Sequence, residues 1–225
     1  GSKKLYSFLE KEFKTSANKF KSITFHYLQP DVDWHNKLIF SINKEEHDIA
    51  PILIADAGFM YAAKMSGMSE EYDLFTPDVG ELAFIADEEA PHPFYTRGFI
   101  LHEERKVPDL ISRAASFGNI PRNMLIKGKK DYIVKGDTII DIVDSPSTEA
   151  LEAIGGTGDT VTGIVTALIA SEVEISIASK IAAKTNRKAG EAASPMPATL
   201  VIEIIEKIED ALTDELATNN MGQKR

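Results

Sequence analysis

The sequence predicts an α/β fold in which helices flank a mostly parallel central sheet. Three observations predict it. Short apolar runs alternate with helix-periodic segments through most of the chain. Ile52–Ala55 is continuously apolar, which suits a strand buried on both faces. The last third carries helical periodicity alone. At 225 residues the chain reads as a single domain over 3–218, with a polar, disordered tail over 219–225.

The elements follow in order. Leu5, Phe8, Leu9 and Phe13 mark one face of a helix over residues 4–20. A strand follows at Ile23–Tyr27, then a loop over 28–36 with a turn at Pro30-Asp31. Leu38–Ile42 and Ile52–Ala55 are the next strands. Ala57–Ser66 is a helix stopped by Gly67. Leu74-Phe75 is a short strand, followed by a helix with Thr76 as cap and Pro77 as its first residue. Residues 87–96 form a Pro-broken insert whose His92, Phe94 and Tyr95 read as an irregular loop. Val107–Phe117 is helical and Asn123–Ile126 is a strand. "YIVKGDTIIDIV" is a hairpin turning at Lys135-Gly136-Asp137. Val161, Ile164, Val165, Leu168 and Ile169 define an amphipathic helix that begins at about Asp159 or Thr160. Ser176–Ala189 is an Ala-rich helix. A last helix presents Val201, Ile204, Ile205, Ile208 and Leu212.

Composition restricts function. Lys+Arg 25 against Asp+Glu 35 gives a net charge of −10, which argues against a nucleic-acid surface built from clustered cations. It leaves room for a small phosphate site made of backbone amides. There is no cysteine, so disulfide, thiolate and Cys-ligated metal chemistry are excluded. The five histidines are scattered. Trp34 beside His35 reads as an amphipathic ring near a turn. No apolar run approaches the ~20 residues of a bilayer span, so no membrane association is expected. Gly1-Ser2 reads as a cloning scar, and a cytoplasmic protein is expected.

One stretch concentrates chemistry, "EAIGGTGDTVTG" at 152–163. Glycines permit a sharp turn and remove side chains that would block a ligand. A helix follows, and its first amides lack intrahelical partners and suit an anion. Asp159 beside that anion can take a proton from an attacking hydroxyl. The competing reading is a plain Gly-rich turn with Asp159 as helix cap. Lys127-Gly128, followed by Lys129-Lys130, ends a strand and could present cations and amides to phosphates, or be a solvated strand end. Asp78 and Glu81 have D-x-x-E spacing. Glu81 could hold magnesium through water, or both acids could belong to a capped helix start. Asp56 ends a buried strand, where ligands bind in open α/β sheets or where a turn residue sits.

Gly155-Gly156-Thr157-Gly158-Asp159 resembles the GxGD motif of the ribokinase-like superfamily. Its doubled glycine is most similar to the ATP/ADP-dependent NAD(P)HX dehydratases, carbohydrate kinase-related proteins that repair hydrated nicotinamide cofactors. "MLIKGKKDYIV", "TPDVGELAFI" and "PILIADAGFMYAA" resemble further segments of that family, in family order over about residues 51–210. The resemblance implies a ribokinase-like fold, Asp159 as catalytic base, and the Gly156–Gly158 amides as an anion hole. It also implies ATP or ADP near Gly158 and Lys127-Gly128, magnesium, and homo-oligomers. Asp78 stands where the dehydratases have a His, and residues 1–50, whose one glycine is Gly1, do not match the family's Gly-rich beginning.

Three functions are compatible with these residues. One is nucleotide-dependent dehydration of hydrated NAD(P)H. Another is a small-molecule kinase acting on a metabolite alcohol, such as a sugar or vitamin-like compound. The last is a nucleotide-binding relative without turnover.

Overall fold

The computed structural model describes residues 2–26, 30–42, 50–89, 106–196 and 198–222. His47, His92, Phe94, Tyr95, His102 and Pro197 lie outside the described residues. Six strands form one sheet in the order β1 (Ser22–Phe25), β2 (Ile52–Ala55), β3 (Leu74–Phe75), β4 (Asn123–Ile126), β5 (Asp131–Lys135) and β6 (Thr138–Val143). The first four are parallel, with Ser22 paired to Ile52, Ile54 to Leu74 and Leu74 to Asn123. β5 and β6 form the predicted hairpin around Gly136, whose φ of 59° only glycine adopts without strain. The chain divides into two compact units, Gly1–Ile126 with Val134–Ile139 and Lys127–Ile133 with Ile140–Arg225. Among the described residues no helix is long and apolar enough to cross a membrane.

The first unit carries β1 to β4 with α1 (Ser2–Ser16), α2 (Val32–Ser41), α3 (Gly58–Met65), α4 (Val79–Ile85) and α5 (Val107–Ser116). Its core is aromatic. Phe25 stacks on Phe59 at 4.6 Å between centroids, and Tyr6 stacks on Trp34 at 5.9 Å. Such pairs contribute about 0.5–1.5 kcal/mol beyond area burial. Trp34 is thus part of the α1–α2 packing, with the Lys37 ammonium 4.4 Å above its ring. His35 is buried, its Nε2 2.9 Å from the Tyr72 hydroxyl and its Nδ1 2.9 Å from Asn36 Oδ1. Asp73 ties three strands together. Its carboxylate accepts from the Leu53 amide at 2.9 Å and from Arg122 at 3.3 Å, and its carbonyl accepts from the Asn123 side chain at 2.9 Å.

Several predicted boundaries are corrected here. Leu38–Ile42 is not a strand, and residues 32–36 are not loop. They belong to α2, because the Asp31 side chain accepts from the Trp34 amide at 3.1 Å and caps a helix there. The short run "LIF" fits either periodicity, and the cap decides. Thr76 and Pro77 precede α4 rather than starting it. Asp78 is the cap and Val79 the first residue.

In the second unit α6 (Thr157–Ala170), α8 (Val201–Ile205) and α9 (Ile208–Gly222) pack against the central α7 (Ile175–Ala192). Fully buried Ala178, Ala182, Ala183 and Ala189 allow close helix approach. The predicted last helix is two, α8 and α9, broken at Glu206-Lys207. Ile154, Ala189, Ile204 and Ala211 form an apolar cluster with Leu151, Val201 and Ile208 against it. Glu215 on α9 is buried and accepts from Lys188 at 2.7 Å and Lys184 at 3.3 Å. Burial pushes its carboxyl upward, but the two lysines outweigh that and hold it below its ordinary value.

Candidate functional site

The site in the second unit is built where two chain segments meet. The first is the turn into α6. Gly156 has φ +99° and caps the helix without any side-chain acceptor. α6 begins at Thr157, two or three residues earlier than the periodicity predicts, because its first turn carries no apolar residue. Asp159 is therefore not the cap but the third helical residue, half-buried in the first turn. The Thr157, Gly158 and Asp159 amides are the ones an α-helix leaves without intrahelical acceptors. The Thr160 amide is the first to bond back, to the Gly156 carbonyl at 3.1 Å.

The second segment is the Lys127–Lys130 loop. A Cβ placed on Gly158 would lie 3.6 Å from Lys127 Nζ and 3.7 Å from its Cδ and Cε. The lysine side chain lies across the bare backbone of the α6 first turn. A cation against a helix N-terminus is electrostatically unfavourable, since both ends are positive. Asp159 in the same turn offsets part of that. The common complement of the ammonium and the helix amides is an anion.

Buried polar contacts hold both segments. Asp131 accepts from the Gly128 amide at 3.2 Å and from Arg187 Nε at 2.7 Å. Arg187 donates further to the Gly128 and Lys129 carbonyls, both at 2.9 Å, and to the Pro146 carbonyl at 3.3 Å. Burial pushes the Asp131 carboxyl above its ordinary value, and Arg187 and the Gly128 amide pull back only in part. Next to Arg187, Asn186 donates to the Thr157 carbonyl at 3.2 Å and lies 2.5 Å from the Thr160 hydroxyl.

Of the predicted site residues, Lys127, Gly158 and Asp159 come together with Gly156 and Thr157. Gly155 is exposed and a side chain there would meet nothing within 4 Å. Gly128 is fixed through Asp131. Lys129 is exposed, and Lys130 is drawn to Asp144 at 3.6 Å. Asp131, Asn186 and Arg187 were not singled out from sequence. For Asn186 the signal was the polar run Thr185–Lys188 inside the otherwise Ala-rich α7, whereas the pairing of Arg187 with Asp131 had none.

The first unit holds the remaining candidates. Asp78 and Glu81 make a reciprocal capping box. The Glu81 amide donates to Asp78 at 2.7 Å and the Asp78 amide to Glu81 at 2.8 Å. The Tyr61 hydroxyl also approaches Glu81, at 3.4 Å. Asp56 is buried at the end of β2, accepting from the Ala57 amide at 2.9 Å and lying 3.1 Å from His26 Nε2. Sequence reading passed over His26, which ends β1 beside it.

The carbohydrate kinase family profile, described as NAD(P)H-hydrate dehydratase, matches residues 31–210. A curated relative, an uncharacterised protein of Methanocaldococcus jannaschii, is 42% identical over 195 residues, covering 86% of this chain and 80% of its own length. Among solved structures, Bacillus subtilis pyridoxal kinase in an ADP complex superposes with TM-score 0.51 at 19% identity, over 73% of this chain and 60% of that one. Staphylococcus aureus pyridoxal kinase with AMP-PCP and pyridoxal gives 0.52 at 16%, over 80% and 65%. Escherichia coli phosphofructokinase-2 in complex with potassium gives 0.54 at 13%, over 92% and 62%. This chain thus spans less than two thirds of each of these kinases. At such identities the likeness establishes the fold alone, which is ribokinase-like.

Proposed function

This chain belongs to the NAD(P)H-hydrate dehydratase family of ribokinase-like, carbohydrate kinase-related proteins, and from that premise we propose that it is a nucleotide-dependent NAD(P)HX dehydratase. The observation that carries the reading is the Lys127 side chain lying against Gly158 at the glycine-capped start of α6, with Asp159 in the same turn. Lys127 and the first α6 amides bind the phosphates of ATP or ADP. The nucleotide supplies the phosphoryl group that turns the substrate hydroxyl into a leaving group. Asp159 accepts the proton of that hydroxyl. Elimination of inorganic phosphate, with loss of a proton from the neighbouring ring carbon, then re-forms the ring double bond and restores the reduced nicotinamide. Magnesium belongs to the same proposal. Glu81, the carboxylate in the first turn of α4, would hold the ion through water. The same reading expects a homo-oligomer, which light scattering checks.

The direct test incubates the protein with hydrated NADH or NADPH, magnesium and either nucleotide, and follows the return of nicotinamide absorbance. No recovery with ATP or ADP overturns the proposal. A second reading, a small-molecule kinase, is favoured by Asp78 in place of the family His; the expectation that residues 1–50 lie outside the family is corrected by the match, which begins at residue 31. Phosphate transfer to an alcohol in a metabolite panel, lost in Asp159→Asn, would select it over the dehydratase.

A further inference from the structure

Three consecutive residues near the centre of α7 each engage a different element of the second unit. Asn186 holds the first turn of α6 through the Thr157 carbonyl and the Thr160 hydroxyl. Arg187 holds the Lys127–Lys130 loop through two carbonyls and Asp131. Lys188 bonds Glu215 on α9 at 2.7 Å. Successive helical side chains point about 100° apart, so a run of three polar residues reaches three surrounding surfaces. The first two contacts fall on the two segments whose meeting makes the candidate anion site. Neither Asn186 nor Arg187 need touch a ligand to matter there.

We propose that Asn186 and Arg187 are positioning residues that set the spacing between the Lys127 loop and the α6 first turn, and so set nucleotide affinity. The inference rests on the nucleotide reading of those two segments. Arg187 is suited to the task because its planar fork donates in several fixed directions at once. It satisfies the Gly128, Lys129 and Pro146 carbonyls while ion-pairing with Asp131. A lysine keeps the charge beside Asp131 and cannot span all of those acceptors. The loop would remain paired but lose its fixed height over Gly158.

The test uses the full chain and its Asn186→Ala, Arg187→Lys, Lys127→Ala and Arg187→Lys/Lys127→Ala variants. ATP and ADP dissociation constants are measured by calorimetry, with amide hydrogen exchange and thermal midpoints of the ligand-free proteins. Arg187→Lys should weaken nucleotide binding about tenfold, which is 1.4 kcal/mol, and speed exchange within 127–130. Asn186→Ala should speed exchange at 157–160 and weaken binding likewise. In the Lys127→Ala background Arg187→Lys should change affinity less than about twofold, because the positioned group is gone. An equal loss in both backgrounds overturns the proposal, since a general loss of stability would act that way. So does unchanged affinity in a folded Arg187→Lys variant. If the unsubstituted protein binds neither nucleotide, the nucleotide reading itself fails. The exchange data then decide the positioning claim alone: acceleration confined to the two segments supports it, and unchanged or uniform exchange overturns it.

Discussion

The two units use their polar residues in opposite ways. In the first, acids that looked chemical in sequence are engaged by their own surroundings. Asp78 and Glu81 cap each other, and Asp56 is buried against the Ala57 amide and His26. In the second, the helix carrying the glycine motif starts at a residue with no side chain to cap it, and a lysine lies against that start. One arrangement settles a helix terminus internally. The other sets a lysine against a helix N-terminus, an arrangement that an anion would complement. An acid near a helix start therefore says little alone. The reciprocal capping box on α4 has no counterpart at the glycine-capped start of α6.

The largest expected effect breaks this contrast at its most exposed point. Asp159→Asn should lower turnover by about 10²–10⁴-fold, the range for a lost general base. The thermal midpoint and the nucleotide dissociation constant should stay near those of the parent. A parallel loss of stability would mean that Asp159 serves the fold, as Asp78 does.

The mostly parallel sheet, the β5–β6 hairpin and the GGTGD turn were legible in sequence, because each has a local signature. The Lys127–Gly158 meeting was legible only as two separate motifs. Nothing local states that a side chain after β4 crosses a glycine thirty-one positions later. Arg187 and Asp131 were hidden for a related reason. A buried ion pair between distant positions has no period, and each residue alone looks like a surface charge. α2 was misread because "LIF" is too short to fix a period, and its cap, Asp31, also suits a turn.

The next effect belongs to the first unit. Tyr72→Phe leaves His35 Nε2 buried without its partner and should cost about 1–3 kcal/mol in chemical unfolding. His35 also gives that unit a pH response. Burial holds its pKa below the ordinary 6.5, with Asn36 opposing only in part. Below 6.5 the unfolded chain takes up a proton that the folded chain resists, so stability is kept above that pH and lost as pH falls below it. His35→Gln should flatten that limb of the stability curve. A limb unchanged in the variant would assign the response to another group.

Two glycines two residues apart sharpen the comparison further. Gly156→Ala forces a side chain into a left-handed backbone and to 3.2 Å from Val201 Cγ2. It should cost about 1–2 kcal/mol of stability. Gly158→Ala places its methyl at ordinary contact distance from Lys127, inside a helix, and should hold or raise stability by up to ~1 kcal/mol. Its cost should appear in ligand binding, where the methyl partly covers the first-turn amides beside the lysine. Thermal melts with and without ATP separate the two. Equal destabilisation by both would mean that Gly158 is a packing glycine and not a binding one.

The smallest effect tests the quiet side of the contrast. Asp78→Ala removes one half of the capping box on α4 and should cost about 1 kcal/mol. If Asp78 is only a cap, ADP affinity and the magnesium dependence of turnover will not move. Glu81→Gln separates its two possible roles. The amide oxygen can still accept from the Asp78 amide, so the cap largely survives, but the charge that would hold a hydrated magnesium is lost. A Glu81→Gln protein with parent-like stability and a raised magnesium requirement would make this acid part of the reaction after all. Parent-like stability with an unchanged magnesium requirement would leave Asp78 and Glu81 as helix chemistry, and the anion site in the second unit would have to act without them.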